Sequence, residues 1–245
     1  MSKKTKPSTE RDFDLELITH KSPKSAMSEA YRALRTNLGF AGMEQPFRSI
    51  LLTSPSAQDG KSTVVSNLAV VMAQAGNKVI LVDCDLRKPV QHKIFSMENY
   101  KGFTTCISQQ LNVEEVACKG PVENLTVLTS GPIPPNPAEI LNSARTRALW
   151  PTLLEKYDYV FIDSPPMIAV TDAAILSSQV DGAILVVRSG VTRNDLARQV
   201  KEQFATANAR LIGVVLNQVK MDASDYYQYY YYANDTEPGK KLFSF

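Results

Sequence analysis

The stretch "SPSAQDGKST" (Ser54–Thr63) connects a short apolar run to a longer run with helical periodicity. The preceding run, "FRSILLTS" (Phe47–Ser54), predicts a buried strand, and the following run, "KSTVVSNLAVVMAQAG", predicts a helix that ends at Gly76. The ending "GKST" (Gly60–Thr63) is typical of a phosphate-binding loop, or P-loop, because a glycine, a lysine and two hydroxyl residues stand where the helix begins. This strand–loop–helix unit predicts a nucleotide site within an α/β fold.

The loop departs from the usual P-loop pattern at one position. In G-x-x-x-x-G-K-[ST] the first glycine would be residue 55, and this chain has Pro55 there. The alternative interpretation is a helix start that happens to contain Lys61. We expect Lys61 to reach the β- and γ-phosphates of ATP, the Ser62 hydroxyl to bind Mg²⁺, and Thr63 to contact the α-phosphate. The ATP contacts expected from this loop are Gln58, Asp59, Gly60, Lys61, Ser62 and Thr63.

Strand and helix patterns alternate along most of the chain. Near-continuous apolar runs such as "KVILVDCD", "YVFIDSPP", "GAILVVRS" and "LIGVVLNQ" are separated by helical segments. Such strands predict an α/β, P-loop NTPase-like fold with a mostly parallel sheet and helices on both faces. The spacing of Ala30, Leu34, Leu38 and Ala41 predicts a helix over "SAMSEAYRALRTNLGFA" (Ser25–Ala41). One further helix is expected over "AEILNSARTRAL", with a break before a second helix that restarts at Pro151.

Three aspartates lie where predicted strands end. Asp83 and Asp85 follow "VILV" and alternate with Cys84, so both should point to one side of the strand, and Asp163 ends "YVFID". Ligands of open α/β sheets bind outside the carboxyl ends of the strands, beside the P-loop. Asp163 after four apolar residues is a Walker B pattern, able to hold Mg²⁺ directly or through water together with Ser62 and Asp85. Each aspartate could instead cap the next turn, but three together favour a catalytic site.

Composition gives the limits of each domain. Residues 1–24 are polar without a period and predict a flexible arm, residues 25–220 form the P-loop domain, and residues 221–245 predict a flexible tail. The chain has 44% hydrophobic residues, 21% charged residues and a net charge of +2. This composition is typical of a globular protein and does not indicate extensive nucleic-acid binding. An odd number of cysteines, the polar start and the lack of an apolar run of about 20 residues predict a cytoplasmic protein.

The tail contains "DYYQYYYY" (Asp225–Tyr232), which holds six of the chain's ten tyrosines. Its neighbours are polar residues, proline and glycine, which cannot build a core, so the phenols should be exposed. An exposed, flexible run can enter an active site one phenol at a time. The alternatives are an aromatic strand that docks on a partner or a sticky low-complexity tail. The tyrosines expected to be modified are Tyr226, Tyr227, Tyr229, Tyr230, Tyr231 and Tyr232.

Several motifs together resemble one family. The segments "ILLTSPSAQDGKST", "VILVDCDLRKP", "LTSGPIPPNPAEIL", "FIDSPP" and "GVVLNQ" are similar to those of bacterial tyrosine kinases (BY-kinases) of capsule and exopolysaccharide operons, in the stand-alone cytoplasmic form. The resemblance extends from about Ser22 to the tail, and Asp83, Asp85 and Arg87 match the family's second Walker motif. It implies an ATP- and Mg²⁺-dependent kinase that phosphorylates its own tail and regulates polysaccharide synthesis and export.

The resemblance also implies roles and partners. Asp83 would accept the tyrosine proton, with Asp85 as the alternative, and Asn217 would recognise adenine unless it merely caps a turn. A membrane-anchored activator from the same operon would recruit the kinase to the inner face of the membrane, and sugar-nucleotide enzymes are possible substrates. The pattern "EAYRALR" would join subunits into a ring through Glu29, Arg32 and Arg35, although a solvated charged helix face explains it equally well.

Two rivals remain at this point. A partition or cell-division ATPase usually has an extra lysine early in the loop, at the position of Ser56, and lacks a tyrosine tail. A nucleotide-binding assembly module without kinase activity is excluded by no single residue. A eukaryotic-type kinase and a Rossmann dehydrogenase are disfavoured because H-R-D, D-F-G and G-x-G-x-x-G are missing.

Overall fold

Seven strands form a single sheet in the computed structural model, which describes residues 17–220. The strands are β1 (Ser49–Thr53), β2 (Val79–Asp83), β3 (Cys118–Lys119), β4 (Leu125–Leu128), β5 (Tyr159–Asp163), β6 (Gly182–Arg188) and β7 (Leu211–Asn217). Their order across the sheet is β3-β4-β2-β5-β1-β6-β7, and only the β3–β4 pair is antiparallel. The predicted mostly parallel sheet is confirmed, and β1, β2 and β5 lie next to one another at its centre.

Helices cover both faces of the sheet. They are α1 (Ile18–Lys21), α2 (Ala26–Ala41), α3 (Lys61–Gln74), α4 (Gln91–Ile94), α5 (Phe103–Gln109), α6 (Pro137–Leu141), α7 (Ala144–Leu154), α8 (Asp172–Ser177) and α9 (Asn194–Thr206), with a 3₁₀ turn at Val113–Glu115. Alternate strand residues enter opposite apolar layers, so that Leu51 packs on the side of Trp150 and Phe204, whereas Ile50 packs on the side of Leu68. Both layers are buried and apolar, and this sheet positions the loops at its carboxyl edge.

The first described residues belong to the folded domain. Leu17 is buried, and Thr19 in α1 donates its backbone N–H to Asn67 Oδ1 of α3 at 3.0 Å. Leu17 and Thr19, which fall within the predicted arm of residues 1–24, therefore belong to the folded domain because they pack against α3. Residues 1–16 and the tail of residues 221–245 lie outside the described residues. Within residues 17–220 no helix is long and apolar enough to cross a bilayer.

Helix α2 lies where its periodicity predicts. The Ser25 side chain accepts a hydrogen bond from Ser28 N at 3.2 Å and caps the helix. Leu38 is buried, and Tyr31 and Leu34 pack beside it on the layer that contains α3. Ala30, which shares the predicted apolar spacing, is exposed instead. The larger Tyr31 ring takes the inward position.

The helical region near Pro151 differs from the prediction. The break lies at residues 142–143, where the Ser143 side chain accepts from Thr146 N at 3.2 Å and caps α7. Pro151 lies inside α7, so the prediction that it restarts a helix is wrong. A serine cap satisfies an unpaired helix N–H and outweighs the preference of proline for the first turn. Helices α4 and α5 and the short edge strand β3 were not predicted.

Candidate active site

The P-loop follows β1 and ends in α3. Gln58 (φ 68°) and Gly60 (φ 93°) adopt left-handed backbone conformations, whereas Pro55, at the position of the usual first glycine, is held at negative φ by its ring. The loop therefore closes without a glycine at position 55. Lys61 and Ser62 are the first residues of α3, so the positive end of the helix dipole faces the loop.

Lys61 lies at the centre of a cluster of polar groups. Its Nζ donates to Asp85 Oδ2 at 3.1 Å, to Asp163 Oδ1 at 3.4 Å and to Ser62 Oγ at 2.9 Å. Burial lowers the pKa of Lys61, but Asp163 and Asp85 outweigh burial and raise it, so the ammonium stays charged. The fold brings the four predicted catalytic side chains together at one edge of the sheet.

Asp83 is fully buried at the end of β2. Its carboxylate accepts backbone N–H bonds from Asp85 at 3.1 Å, from Val90 at 3.2 Å and from Gln91 at 3.0 Å. Burial and the neighbouring Asp163 charge raise the pKa of Asp83 to about 8, although the Gln91 N–H and Lys61 oppose that rise. The pKa of the Cys84 thiol, buried next to these carboxylates, is also well above its usual value.

Asp163 is held by groups on both of its oxygens. Oδ1 faces Lys61, and Oδ2 accepts from Gln91 Nε2 at 2.8 Å. Burial raises the pKa of Asp163, and Lys61 and the hydrogen bonds from the Ser62 and Gln91 side chains limit the rise. The carboxylate orientation is thus fixed by Lys61 of the P-loop on one oxygen and by Gln91, outside the P-loop, on the other.

Gln91 is the site residue that sequence reasoning missed. It is fully buried, its Nε2 also approaches Ser62 O at 3.3 Å, and its Oε1 accepts from Ser66 Oγ at 2.7 Å. Its backbone N–H and side chain therefore connect Asp83, Asp163 and α3. No motif indicates this role, because a single glutamine at the start of a four-residue helix has no distinctive pattern.

The far side of the P-loop is braced by the loop after β6 and by the end of β7. The Asp59 carboxylate accepts from Ser56 N at 2.9 Å and from Thr192 Oγ1 at 2.8 Å, and Asn217 Nδ2 donates to Asp59 O at 2.9 Å. Asn217, predicted to contact adenine, thus lies against the P-loop backbone. The Asp59 carboxylate is therefore occupied by Ser56 and Thr192, while Gln58 is exposed and Thr63 is half-buried.

An ion pair between the exposed Arg87 and the buried Asp172 joins the loops that follow β2 and β5. Arg87 Nε donates to Asp172 Oδ2 at 2.8 Å, and Nη2 donates to Oδ1 at 2.9 Å. Asp172 is fully buried at the first position of α8. This two-bond contact fixes the loop that contains Asp85 relative to the loop that follows Asp163.

The charged residues of α2 lie away from this cluster. Glu29 pairs with Arg32 at 2.7 Å, Arg32 also donates to Pro23 O at 2.5 Å, and Arg35 Nη1 donates to Val71 O at 3.2 Å. All three side chains have partners within their own chain. The six predicted tail tyrosines, Tyr226, Tyr227, Tyr229, Tyr230, Tyr231 and Tyr232, lie outside the described residues.

The oxygen donors suit Mg²⁺ bound together with nucleotide phosphates. The Ser62 hydroxyl and the Asp85 and Asp163 carboxylates all converge on Lys61 Nζ. Within residues 17–220 no group of three or more His, Cys, Asp or Glu side chains forms a metal cage of its own. Mg²⁺ typically uses one or two carboxylates plus substrate phosphates, so this donor set fits.

The parallel sheet, the P-loop and the strand-end carboxylates define a nucleotide-binding protein of the P-loop NTPase class. The family described as "AAA domain" matches residues 57–211. Tyrosine-protein kinase YwqD of Bacillus subtilis is 43% identical over 87% of this chain and 90% of its own length. Putative tyrosine-protein kinase CapB of Staphylococcus aureus is 37% identical over 89% and 96% of the two chains.

A solved structure agrees with these relatives. The kinase domain of the Escherichia coli tyrosine kinase ETK is 32% identical, covers 91% of this chain and 84% of its own, and superposes with a TM-score of 0.81. The chain belongs to the bacterial tyrosine-protein kinase family. The prediction of a protein-tyrosine kinase is confirmed, and the switch ATPase and the assembly module are not favoured.

Replacing Gln91 by leucine tests its role in positioning Asp163. The variant leaves Asp163 Oδ2 without its 2.8 Å donor, so we expect a phosphorylation rate about 10- to 100-fold lower and a fold less stable by about 1–3 kcal/mol. The rate and the thermal midpoint would be measured on the same preparation. Gln179→Leu is the matched control, because Gln179 accepts from Trp150 Nε1 and donates to Leu141 O, away from the site. If both variants lose the same activity, Gln91 is merely structural.

Proposed function

We propose that this chain transfers the γ-phosphoryl group of ATP, with Mg²⁺, to tyrosines of its own tail and so regulates capsular or exopolysaccharide synthesis and export. The supporting observation is the convergence of Lys61 with Asp83, Asp85 and Asp163 at a P-loop, in a tyrosine-kinase chain with six clustered tyrosines.

ATP would bind along the P-loop and the start of α3. Backbone groups of residues 58–63 and the Lys61 ammonium would contact the phosphates, and Asn217, beside the loop, would contact the adenine. Ser62, Asp85 and Asp163 would hold Mg²⁺, which neutralises charge on the β- and γ-phosphates when bound. Lys61 would then exchange its contacts with Asp85 and Asp163 for phosphate oxygens.

The reaction forms a bond between a tyrosine oxygen and the γ-phosphorus. The bond from that phosphorus to the β,γ-bridging oxygen breaks, and ADP leaves. The phenolic proton passes to a carboxylate. Because the transition state is loose, positioning and charge neutralisation by Lys61 provide most of the acceleration.

Asp83 is the proposed proton acceptor, with Asp85 as the alternative. A carboxyl with a pKa of about 8 is a far stronger base than an ordinary aspartate, which suits removal of a phenolic proton. Asp85, whose Oδ2 faces Lys61, would instead bind the metal. The three backbone donors to Asp83 fix its position at the end of β2.

This assignment predicts a pH dependence. Because the base must be ionised and its pKa is about 8 in the free protein, kcat/KM for ATP should fall about tenfold per pH unit below pH 8 and level off above it. Autophosphorylation would be measured from pH 6 to 9 for wild type, Asp83→Asn and Asp85→Asn. Asp83→Asn should leave a slow, flat profile. A slope that survives in Asp83→Asn and disappears in Asp85→Asn would assign the proton to Asp85.

Phosphorylation of the tail can be measured directly by mass spectrometry. Incubation with Mg·ATP should add phosphates stepwise to the peptide that contains Tyr226–Tyr232, and changing all six tyrosines to phenylalanine should remove them. Tyr100, the most exposed tyrosine of the described residues, is the internal comparison. A protein that binds ATP but gains no phosphate, whether or not a candidate activator peptide is present, would favour an assembly module.

The charged face of α2 is the proposed contact between subunits of a ring. Glu29, Arg32 and Arg35 lie on this helix, and Met27 (61% exposed) and Phe40 (66% exposed) offer apolar area beside them. A ring would let the tail of one subunit reach the active site of the next. Phosphorylated tails would repel one another and loosen it.

The particle mass in solution, measured by light scattering, tests whether the ring forms through α2. Arg32→Ala removes the guanidinium that pairs with Glu29 and should shift the particle to monomer mass, as should Glu29→Ala. Arg193→Ala, which removes an exposed pair with Asp195 far along the chain, is the control. An unchanged mass in the α2 variants would rule out this interface.

The partner proposed for the chain is a membrane-anchored activator whose cytoplasmic segment recruits it to the inner face of the membrane. The proposed external substrates are proteins such as sugar-nucleotide enzymes. Activity with an activator peptide, compared with activity without it, would test the first of these proposals.

A further inference from the structure

The sheet ends in an open strand. β7 pairs with β6 on one side and with no other strand within residues 17–220. Asn217 O accepts from Ser189 N at 2.9 Å, so the backbone groups of Asn217 point towards β6, as do those of Val215 and Gly213 by alternation. The backbone groups of Val214 and Leu216 therefore point to the outer edge. Such an edge is a template for a further strand.

The open strand also has apolar side chains in solvent. Val214 and Leu216 are each 58% exposed. In the register of β6 and β7, Val214 lies beside Leu185 and Leu216 lies beside Val187. Val214 and Leu216 therefore extend, at the edge of the sheet, the apolar layer that α9 covers nearer the centre. A further strand with large rings would cover this strip and satisfy the outward backbone groups together.

The chain itself provides a segment of suitable length and chemistry. The described residues end at Lys220, three residues after β7, and Asp225–Tyr232 follows in the next twelve residues. This segment has eight residues, against seven in β7, and tyrosine is a strong strand former. Gln218, with φ 55°, already turns the chain at the end of β7.

We propose that the unphosphorylated segment Asp225–Tyr232 pairs with the outer edge of β7 as an antiparallel eighth strand, and that tyrosine phosphorylation releases it. In an extended strand Tyr227, Tyr229 and Tyr231 share one face, and the other face also has three tyrosines. Three rings can therefore cover Val214 and Leu216 in either register. While the segment is docked, its tyrosines cannot enter an active site and are not phosphorylated.

Release follows from charge. Each phosphate adds nearly two negative charges, and residues two apart on one strand face would repel one another. A phosphotyrosine also cannot bury its ring against Val214 and Leu216 without desolvating the phosphate. This second half of the inference rests on the proposed tail phosphorylation, whereas docking of the unmodified tail does not.

Hydrogen exchange at the Val214 and Leu216 amides tests both halves. In phosphatase-treated full-length protein these amides should exchange at least about tenfold more slowly than in a full-length variant with the six tail tyrosines changed to serine. After incubation with ATP, wild type should reach the exchange rate of the serine variant. Equal exchange in treated wild type and the serine variant would overturn the docking, whatever the kinase activity.

Two controls separate the tail from other occupants. Val214→Lys should remove protection of Leu216, whereas Val191→Lys, equally exposed at 58% but in the loop after β6, should not. Protection should be independent of protein concentration. Protection that rises with concentration would identify a second copy as the occupant and overturn the intramolecular pairing. Protection that persists after full phosphorylation of the tail would overturn the release.

Discussion

Lys61→Met should reduce tail phosphorylation by at least about 1,000-fold, which corresponds to roughly 4 kcal/mol of transition-state stabilisation. The ammonium is the positive charge that lies among Asp85, Asp163 and the Ser62 hydroxyl, and methionine keeps an unbranched side chain, one heavy atom shorter, without the charge. Phosphate incorporation per minute, read by intact mass, measures the loss. Because negative charge develops on the β,γ-bridging oxygen as its bond to phosphorus breaks, the loss should appear in kcat as well as in ATP affinity.

The same substitution should change stability with a defined pH dependence. Burial already raises the pKa values of Asp83 and Asp163 above those of the unfolded chain, so the folded state binds more protons and loses stability as pH rises from about 4 to 8. Without Lys61 that loss should be larger, and the thermal midpoint of the variant should fall more at pH 8 than at pH 6. Lys78→Met, at an exposed lysine before β2, is the control for both measurements. Phosphorylation by Lys61→Met within tenfold of wild type would contradict the proposed role of the ammonium.

The parts of the site that could be predicted are those fixed by local pattern. The P-loop follows from a strand, a loop and a helix that are contiguous in sequence, and Asp83 and Asp163 follow because parallel strands share one carboxyl edge. Gln91 could not be predicted, since its contact with Asp163 spans 72 residues and depends on how the loop after β2 folds back. The Arg87–Asp172 pair spans 85 residues for the same reason.

The helix boundaries also show which parts of the fold the sequence pattern could not predict. Ser25 and Ser143 both cap helices with a side-chain oxygen three residues before the bonded N–H, but only the helix after Ser25 was predicted from its first turn. The pattern around Pro151 favoured a helix start there, and the capping of α7 by Ser143 decided the boundary instead. The exposed Ala30 shows that spacing alone does not identify the buried face when a larger neighbour, Tyr31, can occupy it.

Gly60→Ala should abolish measurable ATP binding and phosphorylation while the sheet still folds. A Cβ at Gly60 would lie 2.1 Å from Asn217 Nδ2, far inside van der Waals contact, and the residue has a φ of 93° that alanine adopts only with strain. Asn217 would have to leave Asp59 O, and the P-loop would lose its brace from β7. We expect ATP affinity, measured by calorimetry, to fall at least about 100-fold, since misplaced phosphate contacts cannot act together.

Gly76→Ala separates the clash from the strain. Gly76 has nearly the same backbone conformation, with φ 91°, but nothing lies within 4 Å of its added Cβ. That variant should lose about 1 kcal/mol of stability from the left-handed alanine and keep normal ATP affinity. If Gly60→Ala lost only as much as Gly76→Ala, the contact between Asn217 and the P-loop would have no part in nucleotide binding. A loss of ATP affinity confined to Gly60→Ala would identify the crowding between its new methyl group and Asn217 as the cause.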